Sequence, residues 1–495
     1  MGNHLLLITL FLPLIGALII LFIKEKKSTV IRSVAAIVCG LQLWIVVQLL
    51  TTFDKTATWL QFGEHIRWID FLDINFIIGI DGINLVFLNL SGIIFLATVF
   101  ISRQISNRQK SFYTLLMILN IGITGVLIAF DLFLFLMFYG LTLFSMFLLV
   151  TLFPAQESDI RSGHFGMNVL ISFCLMIIGI LILNHQNPNA GFNLVTFMRS
   201  ATVPGNVSTV GFFIVFIGFL FITPVFPFHS WLAATANNTI IPVAILVLSI
   251  FSQIGIFGML HIVLPLFAHH ATHYAILFSI LGLIGILYYA VCVFSFSNFK
   301  KITTYAAGYL NGFVFLGLAA LLATHHLPDA AFSGLNGAVI QTVASALLIM
   351  TMLLIPKAYQ HIITAATATV NHQWPLKLII ILILCAAIGL PGFPIFVGQF
   401  LCLTGSFQVL STRIISIVAL AGLIIVGIQF FRIIRSIVRR SDEYDFSVNT
   451  AEIDNERVIL PLVLSVLFIC GIFPNLILKI LDQSIHVLIQ SLTGM

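Results

Sequence analysis

From Leu5 to Ile23 the chain runs for nineteen residues with one hydroxyl, Thr9, and no charge. A stretch of about 20 mostly apolar residues is the length a helix needs to cross a ~30 Å hydrocarbon core. Stretches of this kind recur to the end of the sequence. They predict fourteen spans, near 4–23, 30–50, 83–102, 111–130, 132–153, 164–184, 209–228, 241–264, 273–296, 302–323, 335–356, 376–408, 414–434 and 458–478. Backbone amides in lipid must be satisfied within their own segment, and these stretches do not alternate as barrel strands do. The expected fold class is therefore an all-α polytopic membrane protein. Composition agrees: 8% of residues are charged, 60% are hydrophobic and the mean hydropathy is +1.15. Soluble domains carry roughly 25% charged residues, so no polar shell is available here for a water-facing globule. A soluble enzyme and a disordered chain are excluded. The 22 basic and 17 acidic residues are too sparse to form a phosphate-binding face, so nucleic acid is not an expected partner.

Cys39, Cys174, Cys292, Cys385, Cys402 and Cys470 all fall inside apolar stretches, with no CxxC pair among them. They read as buried packing side chains, without a disulfide framework, iron–sulfur cluster or metal site. The N-terminus lacks a basic region ahead of its apolar run, and Lys24, Lys26 and Lys27 follow that run instead, so the first segment is expected to stay as a span. Leu6 stands where myristoylation would need Ser or Thr.

Lysine and arginine are distributed unevenly between the two sides. Loops after odd-numbered spans hold 17 of them and the opposite loops hold five, Lys55, Arg67, Arg199, Arg413 and Lys479. The positive-inside rule then puts the basic loops in the cytoplasm and both termini outside, in a cell inner membrane. Two spans carry Pro-x-x-Pro, at Pro224 and Pro227 in span seven and at Pro391 and Pro394 in span twelve. Proline removes a backbone donor, so both helices are expected to break at membrane depth. Grouped as spans four to eight and nine to thirteen, each break lies in the fourth helix of a five-helix unit. Five is odd, so the units cross in opposite senses, as in inverted-repeat transporters. The organisation read this way is an N-terminal three-helix region at 1–110, repeats at 111–264 and 273–434, and a cytoplasmic loop, last span and interfacial helix at 435–495.

Ionisable side chains in a membrane cost about 2.5–3.5 kcal/mol each on insertion scales and usually mark function. Here every aspartate and glutamate falls in a loop or at a helix end, with Asp81 opening span three and Asp131 opening span five. His164, His229 and His261 lie at span ends, while His269, His270, His273, His325 and His326 sit in outer loops. Only His229, just after the first proline break, reads as a pathway residue. The remaining mid-membrane polar groups are neutral: Thr223, Ser252, Gln253, Tyr305, Tyr309, Asn311, Gln341, Ser345 and Gln399. They read either as interhelical hydrogen-bonding groups or as an uncharged polar lane. No nucleophile–base pair, phosphate loop or cofactor motif accompanies them.

Ordered motifs then bring a family into view. They are Pro13-Leu14-Ile15-Gly16, Ile80-Asp81-Gly82-Ile83, Asp131-Leu132-Phe133-Leu134-Phe135 and Pro224-Val225-Phe226-Pro227-Phe228-His229-Ser230-Trp231. Phe299-Lys300-Lys301-Ile302, Gly337-Ala338-Val339-Ile340-Gln341, Leu390-Pro391-Gly392, Phe396-Val397-Gly398 and Gly405-Ser406-Phe407 follow. Over nearly its whole length the chain resembles the M-type antiporter-like subunits of proton-pumping NADH-quinone oxidoreductase (respiratory complex I), which are related to Mrp antiporters. The resemblance implies partners in the membrane arm of such a complex. It also implies that NADH, flavin, iron–sulfur clusters and quinone are held on other subunits, with no cofactor on this chain.

The resemblance also implies a titratable relay, and here the sequence departs from it. The relay's carboxylate in span five falls at Gly140, its lysines in spans seven and eight at Ile222 and Gln253, its histidines in spans ten and eleven at Leu310 and Ser345, and its glutamate in span twelve at Gln399. Passing protons requires groups whose charge can change. The expected function is a membrane-arm subunit that has lost its own relay. The alternatives are a stand-alone or two-component ion transporter and a purely structural paralogue. The polar segment 441–457 reads as a solvated linker, and residues 479–488 as a short amphipathic helix at the outer interface. The long lateral helix of the related L-type subunits is not expected.

Overall fold

The computed structural model describes residues 4–57, 60–72, 74–105, 107–155, 162–186, 191–199, 206–323, 328–365, 374–439 and 456–493. Helices α1 (Leu5–Phe22) and α2 (Ser28–Thr52) lead into a β-hairpin of β1 (Gln61–Ile69) and β2 (Ile74–Ile80). Then come α3 (Gly82–Ile101), α4 (Gln109–Ile128), α5 (Leu132–Leu152) and α6 (Ser162–Gln186). The next are α7 (Asn206–Leu220), α8 (Ser230–Asn238), α9 (Ile241–Leu266), α10 (Ala275–Ser295) and α11 (Phe299–Leu322). The last six are α12 (Pro328–Ala365), α13 (Trp374–Ile388), α14 (Pro394–Gln408), α15 (Arg413–Arg439), α16 (Glu456–Ile472) and α17 (Asn475–Thr493). Among the described residues, eleven helices are each long and apolar enough to cross a membrane.

Helix starts follow from capping. The Asp81 carboxylate accepts from the Asn84 amide at 2.9 Å, Asp131 from Phe133 and Leu134 at 2.9 and 3.1 Å, and Asn298 from Lys301 at 3.2 Å. Each satisfies orphan donors of a first helical turn. Which helix becomes core follows from its surroundings. Helix α9 and the 328–356 part of α12 are enclosed on all sides, whereas α1, α2, α6 and α15 leave most of their apolar surface outward, as lipid-facing spans do.

Small residues let the central helices approach closely. A methyl group on Gly334 would lie 2.5 Å from the Gly317 carbonyl, and one on Gly337 would lie 2.6 Å from the Cys402 amide, so α11, α12 and α14 meet backbone to backbone. At the other end of the chain, Gln42 of α2 donates to the Thr9 carbonyl at 3.2 Å and to Thr124 at 3.0 Å, while Asn120 donates to Gln42 at 2.6 Å. That polar knot ties α1, α2 and α4 together.

Three expectations need correction. A two-stranded hairpin, pairing Glu64 with Ile78 and Ile66 with Phe76, sits between spans two and three. A search at membrane-spanning length passes over a nine-residue strand such as β1. The last span ends at Ile472 rather than 478, and the C-terminal helix starts at Asn475 rather than 479, because the chain bends by 64° there. Pro474 stands in that bend, and the helix after it is seated on the start of α3, where the Gly82 amide donates to Ser484 at 2.8 Å. Of the six cysteines only Cys39 and Cys402 are buried; Cys174 is exposed and Cys292, Cys385 and Cys470 are half-buried. An apolar stretch identifies a membrane segment but not which of its faces meets lipid. The 441–455 part of the linker lies outside the described residues.

Candidate functional site

The first helix break follows α7. The Phe219 carbonyl accepts both the amide and the hydroxyl of Thr223, at 3.1 and 2.8 Å, and Pro224, with no N–H to donate, follows directly. Helix resumes only at Ser230. Groups from α10 and α11 satisfy the opened segment. The Tyr289 hydroxyl donates to the Pro224 carbonyl at 3.0 Å, and His229 Nε2 lies 2.9 Å from the Tyr288 hydroxyl. Tyr305 stacks on Phe296 with centroids 5.1 Å apart, beside Tyr289 at 6.3 Å. The Lys300 ammonium donates to the carbonyls of Asn237 and Thr239 at 3.0 and 2.7 Å, closing the far end of α8.

The second break lies between α13 and α14. Gly389 and Gly392 take φ of +84° and +101°, a region that L side chains rarely adopt, and Pro394 opens α14. The phenol of Tyr309 faces Gln399, whose amide oxygen lies against Gly389. Gln341 Nε2 reaches the Leu310 carbonyl at 3.5 Å, and its Oε1 lies against Gly398 without a hydrogen-bond donor. Gln399 Nε2, both polar atoms of Asn311 and Gln253 Oε1 are also buried without a protein partner.

The neutral polar residues therefore form two groups. Tyr309, Gln341 and Gln399 gather at the second break, while His229 and Tyr305 join Tyr288 and Tyr289 at the first. Thr223 lies against Gly255, two residues beyond Gln253. Ser252 and Ser345 turn inward to their own helices, donating to the Leu248 and Thr342 carbonyls at 2.7 and 2.9 Å.

The positions of the expected relay are enclosed. Ile222, Gln253, Leu310 and Ser345 are each 1% exposed and Gln399 is 3% exposed. Gly140 is different, because it lines an open apolar groove of about 720 Å³ between α5 and α6, with the exposed Met137, Phe144 and Leu170 and with Phe173. A methyl group on Gly140 would lie 2.8 Å from the Phe173 ring.

Reading spans alone misplaces two residues. It puts His261 at the end of span eight, but α9 continues to Leu266 and encloses it. Its Nε2 lies 3.0 Å from the Ala129 carbonyl, between the rings of Phe130 and Phe257 at 4.7 and 5.0 Å. It sits in one of two wide, π-type stretches of α9, 246–251 and 259–263, which flank Gln253. Lys300, a loop cation by the same reading, belongs to the first turn of α11. Among the described residues no three His, Cys, Asp or Glu side chains gather as a metal site. His325 and His326 lie outside the described residues.

The sequence model described as NADH:quinone oxidoreductase/Mrp antiporter, transmembrane, matches residues 129–424, which include both broken helices. The chain belongs to this family. Among other members, this antiporter-family chain is 26% identical to F(420)H(2) dehydrogenase subunit M of Methanosarcina mazei over 98% of each chain. It is 25% identical to NADH-quinone oxidoreductase subunit M of Rhodobacter capsulatus, over 99% of this chain and 97% of the relative. Its fold is similar to that of a chain of Thermus thermophilus respiratory complex I, with a TM-score of 0.80 at 17% identity and 99% of each chain covered. The relatives named as M subunits support the M-type reading made from the motifs.

Proposed function

We propose that this chain is an M-type membrane-arm subunit of a quinone-reductase-like respiratory complex in which it conducts no protons of its own. One observation carries the second half: every position that the resemblance assigns to the relay, Gly140, Ile222, Gln253, Leu310, Ser345 and Gln399, holds a side chain that does not titrate. Enclosure of the five positions other than Gly140 makes the loss harder to bypass, because a buried neutral amide, hydroxyl or alkyl group offers a proton no charged state to occupy. Two relatives named as M subunits, matched end to end, support the first half. In this reading NADH or another reduced donor, flavin, iron–sulfur clusters and quinone belong to partner subunits. The chain supplies packing between neighbouring membrane subunits. We place it in a cell inner membrane with both termini outside and with repeats at 111–264 and 273–434, since the broken helix comes fourth in each five-helix unit.

Purification and reconstitution separate the two halves. A tagged chain is expected to emerge with hydrophilic quinone-reductase subunits; emergence alone would overturn membership. In liposomes under an applied voltage, the purified chain is expected to pass no more protons than protein-free vesicles. A flux in the unaltered chain that rises with protein content would overturn the loss of the relay. The triple variant Gly140→Glu, Phe173→Ala, Ile222→Lys is the companion protein for the same assay, since glutamate at 140 needs the space the Phe173 ring now fills.

A further inference from the structure

We propose that the helix ends joined by residues 23–27 and 102–108 bind the phosphate headgroups of anionic phospholipids in the adjoining leaflet. Residues 23–27 connect α1 to α2, and residues 102–108 connect α3 to α4. The four helices are packed on one another: a methyl group on Gly16 of α1 would touch Val38 of α2 and Met117 of α4, and one on Gly92 of α3 would touch Leu43 of α2. Helix α3 therefore runs in the same sense as α1, and both connections lie at one end of the bundle. Ser102, hydrogen-bonded to Tyr113 at 3.0 Å, holds the second connection onto α4.

That end gathers an unusual share of the chain's charge. Lys24, Lys26, Lys27 and Arg32 come from the first connection and its flank, and Arg103, Arg108 and Lys110 from the second. These are seven of the 22 basic residues, and within the two connections and their flanks Glu25 is the single acidic residue, so these segments carry a net charge of +6 (seven minus one). Among the described residues none of the seven forms an ion pair. Lys24, Lys26, Lys27, Arg103 and Arg108 are exposed. Orientation by positive charge would account for cations anywhere on this side of the membrane. It does not account for so many converging on two adjoining connections, none of them in an ion pair among the described residues.

The neighbouring surface selects the occupant. Phe22 is 89% exposed, and Val30 and Phe100 are also exposed, directly beside the cations. A ligand with a phosphodiester and acyl chains satisfies both features at once. The guanidinium groups suit phosphate oxygens through paired hydrogen bonds, and the apolar ring of Phe22, Val30 and Phe100 meets the tails. An acidic water-soluble protein would match the charge and leave the apolar rim uncovered. Basic clusters next to membrane helices act on anionic lipid in this way.

The test uses full-length protein purified in a zwitterionic detergent with equal phosphatidylglycerol and phosphatidylcholine, counting the phospholipid retained after washing. Wild type is expected to retain phosphatidylglycerol preferentially. The variant Lys26→Gln, Lys27→Gln, Arg103→Gln, Arg108→Gln should lose that preference by about tenfold. The control Lys301→Gln, Arg432→Gln, Arg435→Gln, Arg439→Gln, which removes the same charge from exposed positions elsewhere, should keep it. An unchanged ratio in the first variant, or an equal fall in both, overturns the proposal. A second readout needs no variant: phosphatidylglycerol retention by wild type should fall as sodium chloride rises while phosphatidylcholine retention stays constant, and retention insensitive to salt overturns the proposal.

Discussion

The Lys300 ammonium lies 2.7 Å from the carbonyl oxygen of Thr239, so a cation from the first turn of α11 seals the end of the half-helix that follows the first break. With the 3.0 Å bond to Asn237, it satisfies two carbonyls at the end of α8 that have no continuing helix to donate to them. Lys300→Met should lower stability by about 1–2 kcal/mol, since charge-assisted bonds are lost and two acceptors are left unpaired. Lys300→Arg should recover part of it. Thermal unfolding in detergent measures both, and a Met variant as stable as wild type would remove Lys300 from this role.

Asp81 caps α3 while half-buried, and burial pushes its carboxyl up to about 6. An acid whose folded pKa lies above its unfolded value near 3.8 binds its proton more tightly when folded. The associated stability is complete below pH 4 and is lost as pH rises through 6. Asp81→Asn keeps an oxygen for the Asn84 amide and has no charge to bury. It should therefore raise the melting temperature at pH 7.5, by the equivalent of about 1 kcal/mol, and leave it unchanged near pH 4. A gain of equal size at both pH values would contradict the assignment.

Tyr309 and Gln399 are buried polar neighbours at the second break. Removing either strips the other of a buried polar neighbour, so Tyr309→Phe and Gln399→Leu should each cost about 1–3 kcal/mol. The double variant should cost less than the sum of the two. Strict additivity in a double-mutant cycle would mean that the pair does not interact.

Two glycines to alanine should behave oppositely. The methyl group of Gly337→Ala would press on the Cys402 backbone, which cannot swing aside, and should cost about 1–3 kcal/mol or more. Gly40 in α2 has open space around its Cα, so Gly40→Ala should stabilise by up to about 1 kcal/mol through helix propensity. Unfolding curves of the two variants side by side check the backbone seam between α12 and α14.

The hairpin carries exposed apolar side chains, with Phe71 94% exposed and Ile66 and Trp68 also exposed. On a segment outside the apolar spans, such a patch fits a protein neighbour. Trp68→Ser with Phe71→Ser should leave the stability of the isolated chain within about 0.5 kcal/mol of wild type while reducing co-purification of neighbouring membrane subunits. Intact co-purification would rule the patch out as a contact.

Much of the fold is legible in the residue order. Long apolar runs mark the spans, Asp81 and Asp131 mark two helix starts, and paired prolines mark both breaks, because each is a local effect of the backbone or of lipid. The candidate site is legible only in part. Gln341, Tyr309 and Gln399 stand out as polar residues in apolar surroundings, but nothing in their spacing says that Tyr309 and Gln399 meet across α11 and α14. His261 and Lys300 escape notice because each sits near the edge of an apolar run, where a charge ordinarily meets water.

Sequence alone determined that this chain lives in a membrane as helices, that two of those helices are interrupted, and that its interior holds almost no titratable charge. These follow from solvent and backbone chemistry acting on each segment separately. Tertiary structure decided which helices are wrapped by others and which face lipid, and which groups close the carbonyls freed at each break. It also seated the C-terminal helix on the start of α3. Those outcomes depend on contacts between residues far apart in the chain, such as Lys300 with Thr239 and Gly82 with Ser484, whose free energy exists only once the helices have packed.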